Sequence, residues 1–177
     1  MKLDNSVARS AWYLAIARIN QPHVALFAEG DDSNGADIST FTKLMNKQTA
    51  FLRGELKSRD NLMRFFNDFS EWRNELELDD DSLGDAIVDL TLSALYASVE
   101  SVFDPESDDV ELLNDFVVRC QDEMVELDSD YAGLKDYFAD IQQEFADQFG
   151  AVRQIPVGKT YFDWLKELDV SLFGLEA

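Results

Sequence analysis

Two carboxylate pairs in this chain have a spacing that metal chemistry uses. Glu123-Met-Val-Glu126 and Glu144-Phe-Ala-Asp147 each set acids three residues apart, so on a helix each pair shares a face. Four such oxygens on adjacent helices suit Mg²⁺, which binds oxygen ligands and activates water. A second stretch, Asp79-Asp80-Asp81-Ser82-Leu83-Gly84-Asp85, can be tested as a calcium loop. Counting from Asp79, Gly84 falls correctly at position 6, but Leu83 and Leu90 fall at positions 5 and 12, where ligands are required. The stretch reads as a turn and a helix start. The one histidine, His23, follows Pro22 at a helix start and reads as structural. A single His excludes the paired His of di-iron bundles. Cys120 sits mid-helix among apolar residues, as a core thiol does. No Gly-rich phosphate loop and no zinc spacing is present.

The Glu-x-x-Glu … Glu-x-x-Asp pattern resembles the signature of the all-α NTP pyrophosphohydrolases. The resemblance covers only about 25 residues, from Glu123 to Asp147. It implies that Glu123, Glu126, Glu144 and Asp147 would hold Mg²⁺ against a substrate triphosphate. The bases that would meet the phosphates are missing nearby, apart from Arg119 and Lys135.

The wider pattern is a segregation of charge. Residues 1–73 hold 10 Lys/Arg against 9 Asp/Glu. Residues 74–150 hold 23 acids against Arg119 and Lys135 alone. Residues 151–177 hold 3 basic and 4 acidic residues. The formal charge of −21 therefore sits in the middle of the chain. Halophilic adaptation acts on a whole surface, whereas confinement to one block builds a one-signed field that steers an oppositely charged partner.

Within the block the acids fall in rows. Asp136, Asp140, Glu144 and Asp147 step by four, four and three, which on a helix puts them on one face roughly 6 Å apart. The preceding helix adds Asp108, Asp115, Asp122 and Glu126, with Glu111 and Glu123 on a neighbouring face. Asp85 and Asp89 repeat the spacing one helix earlier. Seven like-charge pairs lie well inside the expected helices. Together they oppose folding by roughly 1.5–3.5 kcal/mol, against a usual stability of about 5–15 kcal/mol.

Rows of carboxylates can imitate the phosphates of a nucleic acid, whose binders grip it with Lys and Arg. In size, helicity and charge the chain is similar to phage and plasmid DNA-mimic inhibitors of the anti-restriction and anti-CRISPR kind, although no motif carries that likeness. The expected function is a non-enzymatic, cytoplasmic, acidic protein that inhibits a basic nucleic-acid-binding partner. Asp136, Asp140, Glu144 and Asp147 lead, supported by Asp115, Asp122, Glu126 and Asp108. Two alternatives stand: the Mg²⁺-dependent pyrophosphohydrolase, and an immunity or chaperone-like protein masking a basic client. The binding reading needs no cofactor and no metal, and it fits a monomer or a homodimer.

The elements that must position these residues are all helical. Apolar periodicity predicts helices over 6–19, 22–30, 38–57, 59–78, 83–103, 108–127 and 130–149. A linker follows over 151–159, in which 152–157 is the one place for a short extended piece. Thr160 with Asp163, like Ser82 with Asp85, has the spacing of a capping box. Asp31-Asp32-Ser33-Asn34-Gly35 reads as a turn cluster. Leu112 and Leu127 read as core positions of their helix. The helix over 83–103 is apolar nearly all round, as central helices are. The fold class is all-α, a compact bundle of six to eight helices with short loops and a small C-terminal helix, in one domain over 1–177.

Other classes are excluded by composition. The 46% hydrophobic content and the 13 Phe, 5 Tyr and 3 Trp are too rich for a disordered chain. One cysteine permits no internal disulfide, which fits a reducing compartment. No apolar run approaches the ~20 residues that span a bilayer, and the acidic surface is repelled by anionic lipid and by nucleic acid alike. The segment Val170-Ser-Leu-Phe-Gly-Leu175 either folds back onto the core or docks elsewhere.

Overall fold

The computed structural model describes residues 1–30 and 37–176. The turn cluster expected at 31–35 lies outside them. Among the described residues the chain forms eight α-helices and no strand: α1 (Ser6–Ile19), α2 (Gln21–Glu29), α3 (Ser39–Leu52), α4 (Arg59–Glu75), α5 (Leu83–Phe103), α6 (Val110–Leu127), α7 (Leu134–Phe149) and α8 (Lys159–Glu167). The all-α bundle is as the periodicity requires.

Local chemistry explains most of the ends. The Asn5 side chain accepts from Val7 N–H at 2.8 Å and starts α1. Ser58 and Ser82 accept from Asn61 N–H and Asp85 N–H and start α4 and α5. The second half of the Ser82–Asp85 box is not made. Asp85 instead accepts from Asp79 N–H at 2.8 Å, folding the acidic turn back onto the helix.

Three expected boundaries and one expected cap are corrected. Helix α3 stops at Leu52 rather than 57, because the chain turns at Gly54 with φ 78. Helix α4 ends at Glu75 rather than 78. The turn before α7 is a 3₁₀ helix over Ser129–Gly133, so α7 itself begins at Leu134. Helix α8 is capped by Gly158 with no side-chain bond; Asp163 instead pairs with Lys159 at 2.6 Å, so the Thr160 box does not form. No extended piece forms over 152–157, although Val157 N–H donates to Leu52 O at 2.9 Å.

Helix α5 is the centre. It packs most extensively on α1, and α2, α3, α4 and α6 also rest against it. Small polar residues allow this closeness. Ser10 and Ser98 exchange bonds between α1 and α5, at 2.7 Å from Ser10 Oγ to Ser98 O and 2.8 Å from Ser98 Oγ to Ser10 O. Gln48 of α3 donates to the same group. By length and composition α5 is apolar enough to cross a membrane, contrary to the expectation that no run is; 67% of that apolar window is buried inside the bundle. One continuous set of buried apolar side chains draws on all eight helices.

The acidic helices hang on this core by aromatic residues. Trp12 of α1 stacks with Phe138 of α7 at 6.1 Å between centroids and meets Phe145 at 5.1 Å. Its indole N–H donates to Asn114 of α6 at 2.9 Å. One buried tryptophan thus fixes both α6 and α7.

Candidate functional site

Helix α7 buries Phe138, Ile141, Phe145 and Phe149. At 3.6 residues per turn, Asp136, Asp140 and Asp147 lie directly opposite that stripe, and all three are exposed. Glu144 is also exposed but turns toward the edge. Its Oε2 accepts from the Trp164 indole N–H of α8 at 3.0 Å. The row expected to hold four members on one face therefore holds three, with Glu144 tied off beside it.

Helix α6 buries Val110, Leu113, Asn114, Val117, Cys120 and Gln121. Asp115, Asp122 and Glu126 are exposed on the opposite side, as the spacing required. Asp108 is not among them. It precedes α6, and its carboxylate accepts from Val110 N–H at 3.2 Å, which is a turn role. Lys135 of α7 reaches Asp122 of α6 at 2.9 Å and joins the edges of the two faces. Of the eight carboxylates singled out from the sequence, Asp122 alone has an ion-pair partner among the described residues.

Two leucines correct the expected core. Leu112 and Leu127 of α6 are 66% and 78% exposed rather than inward. Both stand among carboxylates, so apolar side chains interrupt the acidic exterior.

The metal-binding alternative is not assembled. Glu123 lines a groove between α4, α5 and α6, Glu126 faces outward, and Glu144 turns to Trp164. Among the described residues no three His, Cys, Asp or Glu side chains come close enough to share a metal ion. The i,i+3 spacings are real, but the helices point them apart.

That groove, of about 810 Å³, escaped the sequence reading. Asp85 and Asp89, which the spacing grouped with the acidic rows, line it instead, with Asp79, Asp80 and Glu123. Arg73, from the charge-balanced part, enters it and donates to Asp89 at 3.0 Å and to Ser93 at 2.6 Å. Its guanidinium lies 5.9 Å from the Tyr96 ring centroid. Arg119 lies 5.0 Å over Phe116 on the other wall. The only available signal was the basic residue at the very border of the acidic block.

Cys120 and His23, read from the sequence as a core thiol and a structural histidine, are both shifted by burial. Cys120 is buried, and burial first and Glu123 second push its thiol up to about 11, away from reactive thiolate. His23 is half-buried, and burial lowers its pKa below the ordinary 6.5.

Fold and surface together define an acidic, all-helical protein in which two adjoining helices, α6 and α7, each display a row of exposed carboxylates. No protein family, curated protein or solved structure matches the chain.

Proposed function

We propose that this protein binds and blocks a basic, nucleic-acid-binding partner by presenting carboxylates where that partner expects phosphates. One observation carries the reading. Asp136, Asp140 and Asp147 on α7 and Asp115, Asp122 and Glu126 on α6 stand outward on adjoining faces, and one lysine bridges them. Such a surface costs folding free energy through like-charge repulsion and returns long-range attraction for an Arg- and Lys-lined groove. The exposed Leu112 and Leu127 give the contact apolar anchors, which charge alone lacks. Anti-restriction and anti-CRISPR inhibition are activities of this kind, and the cytoplasm is where such a partner works.

The test is charge reversal with competition. The protein is immobilised, and the partner it captures from extract is measured at about 50 and about 200 mM NaCl. The expected result is capture that falls at least about tenfold with salt, is lost in the triple variant Asp136→Lys, Asp140→Lys, Asp147→Lys, and is displaced by duplex DNA or RNA. Survival of capture in the triple variant overturns the whole reading. Loss in the variant without displacement by nucleic acid favours the masking of a basic client instead.

A further inference from the structure

Residues 170–176 form a hook that closes on itself and on the bundle. Val170 and Glu176 make an isolated antiparallel bridge. Ser171 N–H donates to Leu175 O at 2.8 Å, and Gly174, at φ 82, turns the chain between them. The bundle grips the hook at three points. Leu172 N–H donates to Asn20 Oδ1 at 3.1 Å, Gln121 Nε2 donates to Leu172 O at 2.8 Å, and the Tyr137 hydroxyl donates to Val170 O at 2.6 Å. Leu172 and Phe173 are buried. The first lies in an apolar slot with Trp12, Ile16, Ile19, Ile141 and Leu168.

The hydroxyl of Ser171 is the hub of the hook, and its hydrogen bonds can be counted. Its oxygen accepts from Phe173 N–H at 3.1 Å and from Leu175 N–H at 3.0 Å. A hydroxyl has two lone pairs and one proton, so both lone pairs are used. The remaining neighbour is His23 Nε2 at 2.8 Å. Ser171 must therefore donate, and Nε2 must accept. The imidazole is then the neutral tautomer with its proton on Nδ1. Phe173 closes the other side, edge-on to the His23 ring at 5.6 Å between centroids.

We infer that His23 is a proton-operated latch: with Nε2 bare it holds the 170–176 hook shut, and protonation at Nε2 releases the hook from the bundle. A proton on Nε2 sets a donor against a hydroxyl oxygen whose lone pairs are already taken. It also places a cation in a half-buried site beside the buried Leu172 and Phe173.

The charged groups on the surrounding elements do not rescue the cation. Arg18, Lys166 and Asp169 line a separate groove beside Gln21 and Pro22. Arg9 of α1 donates to Leu3 O and Pro105 O. Asp89 of α5 pairs with Arg73, Asp85 bonds Asp79 N–H, and Glu100 lies beside Asp104 and Asp109. Burial moves the His23 imidazole, and it moves it down. The sign follows. The closed hook favours neutral imidazole, so closure is strongest above the ordinary histidine value and weakens as pH falls through about 6.5.

Release would uncover the slot and free an apolar strip, which is a second contact surface separate from the acidic faces. The test is amide hydrogen exchange followed by NMR on the intact protein at pH 7.5 and 5.5, each rate normalised to the unstructured chain. Protection of the Ser171, Leu172 and Leu175 amides is expected to fall at least fivefold, while Leu90 and Leu95 in α5 change less than twofold. The His23→Gln variant cannot gain charge, and its hook protection is expected to be the same at both pH values within twofold. Equal protection of the wild-type hook at both pH values overturns the latch, as does the same fall in His23→Gln. Should that variant not fold, the wild-type imidazole ¹⁵N spectrum at pH 7.5 decides. A bare Nε2 supports the latch, and a protonated Nε2 overturns it.

Discussion

The Trp164 indole N–H donates to Glu144 Oε2 at 3.0 Å, and this bond takes one carboxylate out of the acidic row. Glu144 then serves the α7–α8 packing, where Trp164 also meets Phe145 and Phe149 at 5.8 and 5.4 Å between centroids. The two roles separate by mutation. Glu144→Gln keeps an oxygen for the indole and is expected to change partner capture less than twofold. Asp140→Lys, on the free part of the face, is expected to lower it at least fivefold. Side-by-side capture of the two variants checks this. A loss in Glu144→Gln as large as that in Asp140→Lys, which changes the charge by twice as much, would overturn this separation of roles.

The free face is expensive to fold. Asp140 is flanked one turn away on each side by Asp136 and Glu144, and all three are exposed. A lysine at 140 turns two repulsive pairs into two attractive ones. The gain is about 1 kcal/mol, which for a chain of this size is a Tm rise of roughly 2–4 °C. Adding about 0.5 M NaCl to the wild type is expected to raise Tm in the same direction, and by less in Asp140→Lys, because salt screens what the substitution removes. Thermal scans with and without salt settle it. The variant that folds better is then the variant that binds worse, which a surface serving only solubility would not produce.

The α1–α5 contact buries a polar group between two closely packed helices. Ser98 is fully buried, gives its proton to Ser10 O, and accepts from Gln48 Nε2 at 3.0 Å. Gln48 Oε1 is already buried without a hydrogen bond. Ser98→Val adds a methyl group where two backbones approach and removes a partner from the Gln48 amide. Overpacking and the lost bond together are expected to cost about 2–4 kcal/mol. Ser98→Ala, which makes no new clash, is expected to cost about 1–2 kcal/mol. Urea unfolding of both variants gives the comparison, and a larger loss in the alanine variant would contradict the crowding argument.

The helices were legible because their stops are chemical. Asn20-Gln21-Pro22, Asp104-Pro105 and Ser82 each act within one turn of themselves. The central place of α5 was legible from its lack of a polar face. What escaped depends on partners remote in the chain. Nothing near Glu144 announces Trp164, which lies 20 residues away. Nothing near Asp89 announces Arg73, which arrives from a different helix. Leu112 and Leu127 fit an apolar stripe by periodicity, but α6 has no neighbour over them. Periodicity reports which residues share a face and not whether that face is covered.

Glu100 shows the same limit and yields the last prediction. It faces the end of α5, where burial first, then Asp109 and Asp104, raise its carboxyl above the usual range. Asp104 also caps the C-terminal, negative end of α5, so two acids sit where the helix dipole disfavours them. A carboxyl raised in the fold weakens the folded state when ionised. Stability therefore rises as pH falls through that raised value and levels off below the ordinary one near 4.5. Glu100→Gln removes the charge at every pH. At pH 7 it is expected to stabilise the protein, with relief of the Asp104 pair alone giving about 0.2–0.5 kcal/mol. At pH 4 variant and wild type are expected to unfold at the same urea concentration. A variant that is less stable than the wild type at pH 7 would show that Glu100 makes a favourable contact stronger than the repulsion around it.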